Sequence, residues 1–177
     1  LGNIRGVQHL IFVCKPGSRN FHPFEAIASA VANAKSLTYL KIVSSPEARN
    51  RDQSGLVMLG NALREHSSLV DFGWFDICSL QEKLQSTALD PVLLALPACS
   101  NLRKITFASK QASANTVRKL MQLPEDTHLA LAVEIDSLLA VADEIRQGRC
   151  LVKNLHLGML QSSSSETTKC QSPSECD

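Results

Sequence analysis

SLVDFGW, residues 68–74, is the segment on which the fold turns. SLTYLKI at 36–42 comes before it and NLRKITF at 101–107 after it. In each, one apolar residue is followed by a second three positions on and a third two positions beyond that. These are Leu37, Leu40 and Ile42; Leu69, Phe72 and Trp74; and Leu102, Ile105 and Phe107. The last two of each set, two apart, point to the same side of a strand. Upstream of each segment stand three more apolar residues at constant offsets: Phe24, Ile27 and Val31; Leu56, Leu59 and Leu63; Leu89, Val92 and Leu96. Spacings of three and four put these on one helical face. The units begin at 24, 56 and 89, so they are shifted by 32 and then 33 residues. With 44% hydrophobic residues overall, chance agreement across all these positions is very small. A helix feeding a strand every ~30 residues, each unit too small to bury its own face, describes a stacked array.

The boundaries fit this register. Pro23 suits a first helical turn, Asp52 and Ser54 are candidate caps before Leu56, and Asp90-Pro91 is a good helix start. Pro97 predicts a short third helix. Later units are degenerate. Ser113 is a candidate cap for a helix carrying Val117, Leu120 and Met121. The strand after it is Leu131 with Val133, or Val133 with Ile135. Asp136 is a candidate cap for a helix with Leu138, Val141 and Ile145, and Val152, Leu155 and Leu157 form the strand after that. Before the first complete unit, Val7, Leu10 and Phe12 make a strand with no preceding helix. Six strands and five helices are expected.

Residues 161–177 read QSSSSETTKCQSPSECD, which cannot form a core and predicts a disordered Ser-rich tail. Ser172 and Ser174 are candidate phosphorylation sites there. The domain is therefore read as 1–160, truncated at its N-terminus because the sequence opens at Leu1. Lys+Arg 18 against Asp+Glu 17 leaves almost no net charge, so a nucleic-acid partner is not expected. No apolar run approaches the ~18 residues of a spanning helix. The cysteines, Cys14, Cys78, Cys99, Cys150, Cys170 and Cys176, form no C-x-x-C pair and no zinc-ligand spacing. They read as reduced thiols of a cytoplasmic protein.

The three strand segments, with VKNLHLG at 152–158, resemble the L-x-x-L-x-L core of leucine-rich repeats. The long period and the helical segments make residues 7–160 similar to the ribonuclease-inhibitor-like subgroup. The resemblance implies an α/β leucine-rich-repeat solenoid, a horseshoe segment with parallel strands on the concave face and helices on the convex face. That family usually has Asn or Cys three residues after the last strand leucine. Here those positions hold Lys15, Ser45, Ile77, Lys110, Asp136 and Leu160, so the buried ladder is absent or shifted.

No phosphate-binding G-x-x-x-x-G-K-[ST] loop and no G-x-S-x-G elbow occurs. Lys15-Pro16-Gly17-Ser18-Arg19 offers an anion site at most, and reads more simply as a solvated connection. His9 and His156 fall on strands several units apart, too far to act together. His66 lies just past a helix end, where the dipole favours a cation. Cys99 and Cys150 are read as core fillers and Trp74 as a core residue. Neither a catalytic site nor a cofactor or metal is predicted, and the chain is not expected to be an enzyme. The outward strand positions are the candidate binding face: Tyr39, Lys41, Val43, Asp71, Phe75, Arg103 and Lys104. Val13, Val43 and Phe75 on adjacent strands predict an apolar row with a mixed-charge rim, a composition that suits a protein partner. Ala108 and Glu134 continue that row in this register. The expected function is protein–protein interaction. The alternative is an enzyme regulator resembling the Ran GTPase-activating proteins, whose acidic C-terminal region is not matched by the few acidic residues of the tail. An α/β hydrolase or transferase comes last.

Overall fold

In a computed structural model the chain is an α/β protein with a single open sheet of six parallel strands. The structure describes residues 6–14, 22–45, 48–49, 52–76, 89–109, 113–133 and 135–159. The readings of the Lys15–Arg19 segment, of Cys78, Cys170 and Cys176, of Glu134 and of the 161–177 tail fall outside them.

The elements run β1 (His9–Cys14), α1 (Pro23–Asn33), β2 (Tyr39–Ser44), α2 (Gln53–Arg64), β3 (Asp71–Asp76), α3 (Asp90–Leu93), a 3₁₀ turn (Leu96–Ala98), β4 (Lys104–Ala108), α4 (Ala114–Leu120), β5 (His128–Val133), α5 (Ile135–Arg146) and β6 (Asn154–Met159). Strand order in the sheet is chain order, and every neighbouring pair is parallel. Parallel neighbours need a crossover, which the helices supply. One register line runs through Leu10, Leu40, Phe72, Ile105, Leu129 and Leu155. A second runs through Phe12, Ile42, Trp74, Phe107, Leu131 and Leu157.

These lines face the helices. Leu40, Ile42, Phe72, Trp74, Ile105, Phe107, Leu129 and Leu131 are buried in one cluster with Phe24, Ile27, Val31, Leu56, Leu59, Leu63, Val117 and Leu120. Phe24 of α1 stacks on Trp74 of β3, ring centroids 5.8 Å apart. Leu37, Leu69 and Leu102, just before their strands, are buried too. The helices thus cover one face. On the other face the intervening strand residues are half-buried or exposed, Gly73 apart.

Asp52 is the cap of α2, accepting from Gly55 N–H at 3.1 Å. Fully buried, it also accepts from Phe24 N–H at 2.7 Å and Glu25 N–H at 3.3 Å, so one carboxylate closes the first turns of α1 and α2. Ser54 lies inside α2 and exposed. Ser113 caps α4 by accepting from Thr116 N–H at 3.0 Å. The third helix is short: α3 ends at Leu93, and Pro97 falls in the 3₁₀ turn that follows. α3 sits close on α2, where a methyl group at Gly60 would collide with the Pro91 carbonyl.

Three expectations are corrected. The inward pair of β5 is Leu129 and Leu131, not Leu131 with Val133 or Val133 with Ile135. The reason is a shortened unit: α4 has seven residues where α2 has twelve, so β5 arrives early. Ile135 opens α5 and is exposed, and Asp136 lies within that helix rather than before it. In the outward row the place assigned to Glu134 belongs to Ala132, the partner of Ala108.

Lys15, Ser45 and Ile77 each lie one place past the residues that end their strands. Cys14, Ser44 and Asp76 are aligned at the ends of their strands, and Ser109 N–H pairs with the β5 residue Ala132. Asp76 accepts from Trp74 Nε1 at 2.9 Å and from Ser109 Oγ, and it pairs with Arg49 at 3.0 Å. Arg49 is 3% exposed. Burial lowers its pKa from the ordinary value, while Asp76 opposes the shift; an arginine so paired stays charged. At the opposite strand ends, His66 is buried and donates from Nε2 to the Ala34 carbonyl at 2.9 Å, at the C-terminus of α1. It therefore ties neighbouring units together as well as sitting past a helix end.

Candidate functional site

The uncovered face of the sheet presents three rows of side chains, one from each outward position. The first is His9, Tyr39, Asp71, Lys104, His128 and Asn154; the second Ile11, Lys41, Gly73, Thr106, Ala130 and His156; the third Val13, Val43, Phe75, Ala108, Ala132 and Gly158. Neighbouring members of a row stand ~4.8 Å apart. His9 and His156 therefore lie on opposite edge strands.

Six of the seven candidate residues lie within these rows, and contacts join four of them. Lys41 Nζ lies 4.4 Å from the centroid of the Phe75 ring, a cation–π contact. Lys104 Nζ donates to Asp71 Oδ2 at 3.1 Å. The Tyr39 ring lies 5.4 Å from that of His9, tilted by 32°. Val43 stands between Val13 and Phe75. Val13 is 55% and Ile11 62% exposed, whereas Val43 and Phe75 are half-buried. The apolar row is thus most open at β1 and partly shielded at β3.

Arg103 stands apart. It precedes β4, and its guanidinium stays among the residues that lead into β4 and β5. Nη1 donates to the Ser100 and Leu102 carbonyls at 3.2 and 3.1 Å, and Nε pairs with Asp126 at 3.2 Å. The repeat offset placed it beside the strand residues; the local hydrogen bonds carry its charge to the rim.

Gly73 is an outward strand position by spacing, and the structure adds the reason that a glycine stands there. A Cβ there would lie 3.0 Å from Phe75 Cε2 and 3.5 Å from Lys41 Cγ. Glycine inside a central strand costs β propensity, and it marks a close approach. Here it lets the Phe75 ring lie back over the sheet, beneath the Lys41 ammonium. A glycine flanked by strand-forming aromatics, in FGWF at 72–75, was the available signal. Beyond β3 the third row becomes flat, carrying Ala108, Ala132 and Gly158.

The Cys14 and Cys99 thiols are poor nucleophiles. Burial pushes Cys99 up to about 11, and burial together with the Asp52 charge does the same to Cys14, so both are neutral thiols near pH 7. Among the described residues no group of three or more His, Cys, Asp or Glu is placed to hold a metal, and no helix is long and apolar enough to cross a membrane. No family model matches the chain, and no curated protein and no solved structure matches it.

Proposed function

We propose that the chain is a leucine-rich-repeat solenoid segment of the ribonuclease-inhibitor-like kind, and that its uncovered strand face binds a protein partner. The observation that carries this reading is the asymmetry of the sheet. Six parallel strands in chain order keep their described helices on one side, and the other side holds an apolar patch with charged neighbours. Ile11, Val13, Val43 and Phe75 supply the patch. Lys41 and the Asp71–Lys104 pair supply the rim. Apolar centres rimmed by polar groups are the anatomy of protein interfaces, and aromatic and cationic anchors dominate their energetics. A cytoplasmic setting belongs to the same proposal, because Cys14, Cys99 and Cys150 are free thiols.

Affinity capture from the source cell tests it. The double variant Val13→Glu/Phe75→Ala should keep the wild-type circular dichroism and lose the principal bound protein. Arg64→Ala on α2, away from the strand face, should retain it. Retention by the double variant with loss by Arg64→Ala would move the interface to the helical side.

A further inference from the structure

The three outward rows carry two lysines, Lys41 and Lys104, against a single acid, Asp71. Asp71 is committed to Lys104, with Oδ2 3.1 Å from Nζ. Arg103, at the rim, is committed to Asp126. Among the described residues Lys41 has no carboxylate partner, so the face keeps one uncompensated positive charge. His9, His128 and His156 can only add to it. Lys41 stands in the middle row of β2, directly beside Ile11 of β1 and Gly73 of β3, with Val43 next along its own strand. Its stem crosses Gly73, where a Cβ would lie 3.5 Å from Lys41 Cγ, and its ammonium rests 4.4 Å from the Phe75 centroid. A free lysine loses much rotamer freedom when a partner fixes it. The glycine and the ring already hold this one, so less is lost on binding. The ring face takes one side of an ammonium that has three donors.

We infer that this corner of the strand face reads an acidic–aliphatic element of a protein partner: an Asp or Glu carboxylate on Lys41 Nζ, with an aliphatic side chain beside it over Ile11, Val13 and Val43. It rests on the reading that the strand face binds a protein, and it names what that protein presents. Charge complementarity selects the carboxylate. Lys41 is a single point-like cation, and one monovalent acid balances it. A phosphorylated residue carries about two charges and is recognised by arginine clusters or forks, whereas the three rows hold no arginine. A nucleic-acid strand would need a track of free cations, and Lys104 is already neutralised by Asp71. The neighbours select the aliphatic group. Ile11 is 62% and Val13 55% exposed, while Val43 and Phe75 are half-buried, so the open part of the patch is aliphatic and lies on the β1 side of Lys41. Covering it also removes water from around the ammonium, which strengthens its pull on the carboxylate. Lys41 and Ile11 stand one strand spacing, ~4.8 Å, apart, so one short segment of the partner can meet both. The Ser-rich residues 161–177 offer only half of this: they contain Glu166, Glu175 and Asp177 but no Leu, Ile, Val, Phe or Met.

Selection from a displayed random-peptide library on the immobilised full chain tests this, run in parallel on wild type and Lys41→Glu. Wild type should enrich peptides in which Asp or Glu neighbours Leu, Ile or Val. Lys41→Glu should enrich Lys or Arg in the place of the acid. A synthetic peptide chosen by wild type should bind Lys41→Met, which keeps the stem, at least ~10-fold more weakly, the loss of one close charge pair. With its acid changed to the amide, the same peptide should bind wild type and Lys41→Met alike. Both variants should keep the wild-type circular dichroism. Peptides that are lost on Val13→Glu but whose acid is indifferent to Lys41 overturn the acidic–aliphatic assignment and leave the strand face as the binding surface. Peptides that survive Val13→Glu and are lost on Arg64→Ala overturn both. A library that yields no enriched sequence also overturns the assignment. So does displacement of the selected peptide by a synthetic 161–177 peptide, or self-association of the chain that Lys41→Glu abolishes, since the occupant would then be the chain itself.

Discussion

The two halves of the molecule use the same plan with different materials. In β1–β3, helices of 11 and 12 residues lie over strands spaced by about 30 residues. Phe24, Val31, Leu37, Leu40, Ile42, Leu69, Phe72 and Trp74 are all fully buried there. The polar groups are buried as well: Asp52 spans two helices and Arg49 is paired with Asp76. In β4–β6 the helices α3 and α4 have four and seven residues. Links between units become ion pairs whose cations are half-buried or exposed, Lys119 to Asp90 at 3.5 Å, Arg118 to Glu144, and Lys153 to Glu125, while Arg149 meets Glu144 from the end of the same helix. The final strand leaves its inward Leu157 half-exposed. A unit's apolar face is buried only when helices stand on both sides of it. The comparison teaches that neighbours decide burial, and the residues themselves do not.

The largest effect should separate the halves directly. Leu69→Ala removes a fully buried side chain between stacked units and should cost ~2–5 kcal/mol. Leu157→Ala, an inward leucine with half its surface in water, should cost less than ~1.5 kcal/mol. Denaturant midpoints measure both, and equal losses would erase the distinction.

A smaller effect should mark the buried cap. Asp52→Ala leaves the Phe24 and Gly55 amides without their acceptor and should cost ~2 kcal/mol, about one for each helix capped. Amide exchange should quicken in the first turns of both α1 and α2. Quickening confined to α2 would mean that the carboxylate does not hold the two units together.

The smallest effect belongs to the other half and depends on pH. The hydrogen bond from Arg149 is the main cause that holds the Glu144 carboxyl below its ordinary 4.5, with the Arg149 charge and Arg118 adding and desolvation opposing. The folded pKa lies below the unfolded one, so the contribution is full above pH 4.5 and is lost as pH falls through the folded value. Glu144→Gln should therefore lower the melting temperature slightly at pH 7 and flatten its decline below pH 4.5. An unchanged acid slope would show that the pairs on the buried Glu144 carboxylate add nothing to the folded state.

Much of the N-terminal half was legible because its pattern is dense. The triplet Leu37, Leu40 and Ile42 and its two repeats carry two periodicities at once, and only a helix-to-strand unit satisfies both. Hence the places of the strands, the core role of Trp74 and the outward places of Tyr39, Lys41, Val43, Asp71, Phe75 and Lys104 followed from spacing. The pattern failed where a unit shortens. Nothing in the run from Leu129 to Ile135 distinguishes one alternate apolar pair from the next, and only pairing with Ile105 and Phe107 selects Leu129 and Leu131. Spacing likewise could not show that Arg103 turns to Asp126, or that Gly73 makes room for a ring two residues on. Periodicity is a property of one segment, so the sequence by itself determined which residues form each unit and which face of it is apolar. Register between units, the double cap at Asp52 and the contact of Lys41 with Phe75 join residues some tens of positions apart. Those were decided only when the units packed, because each depends on what stands beside it.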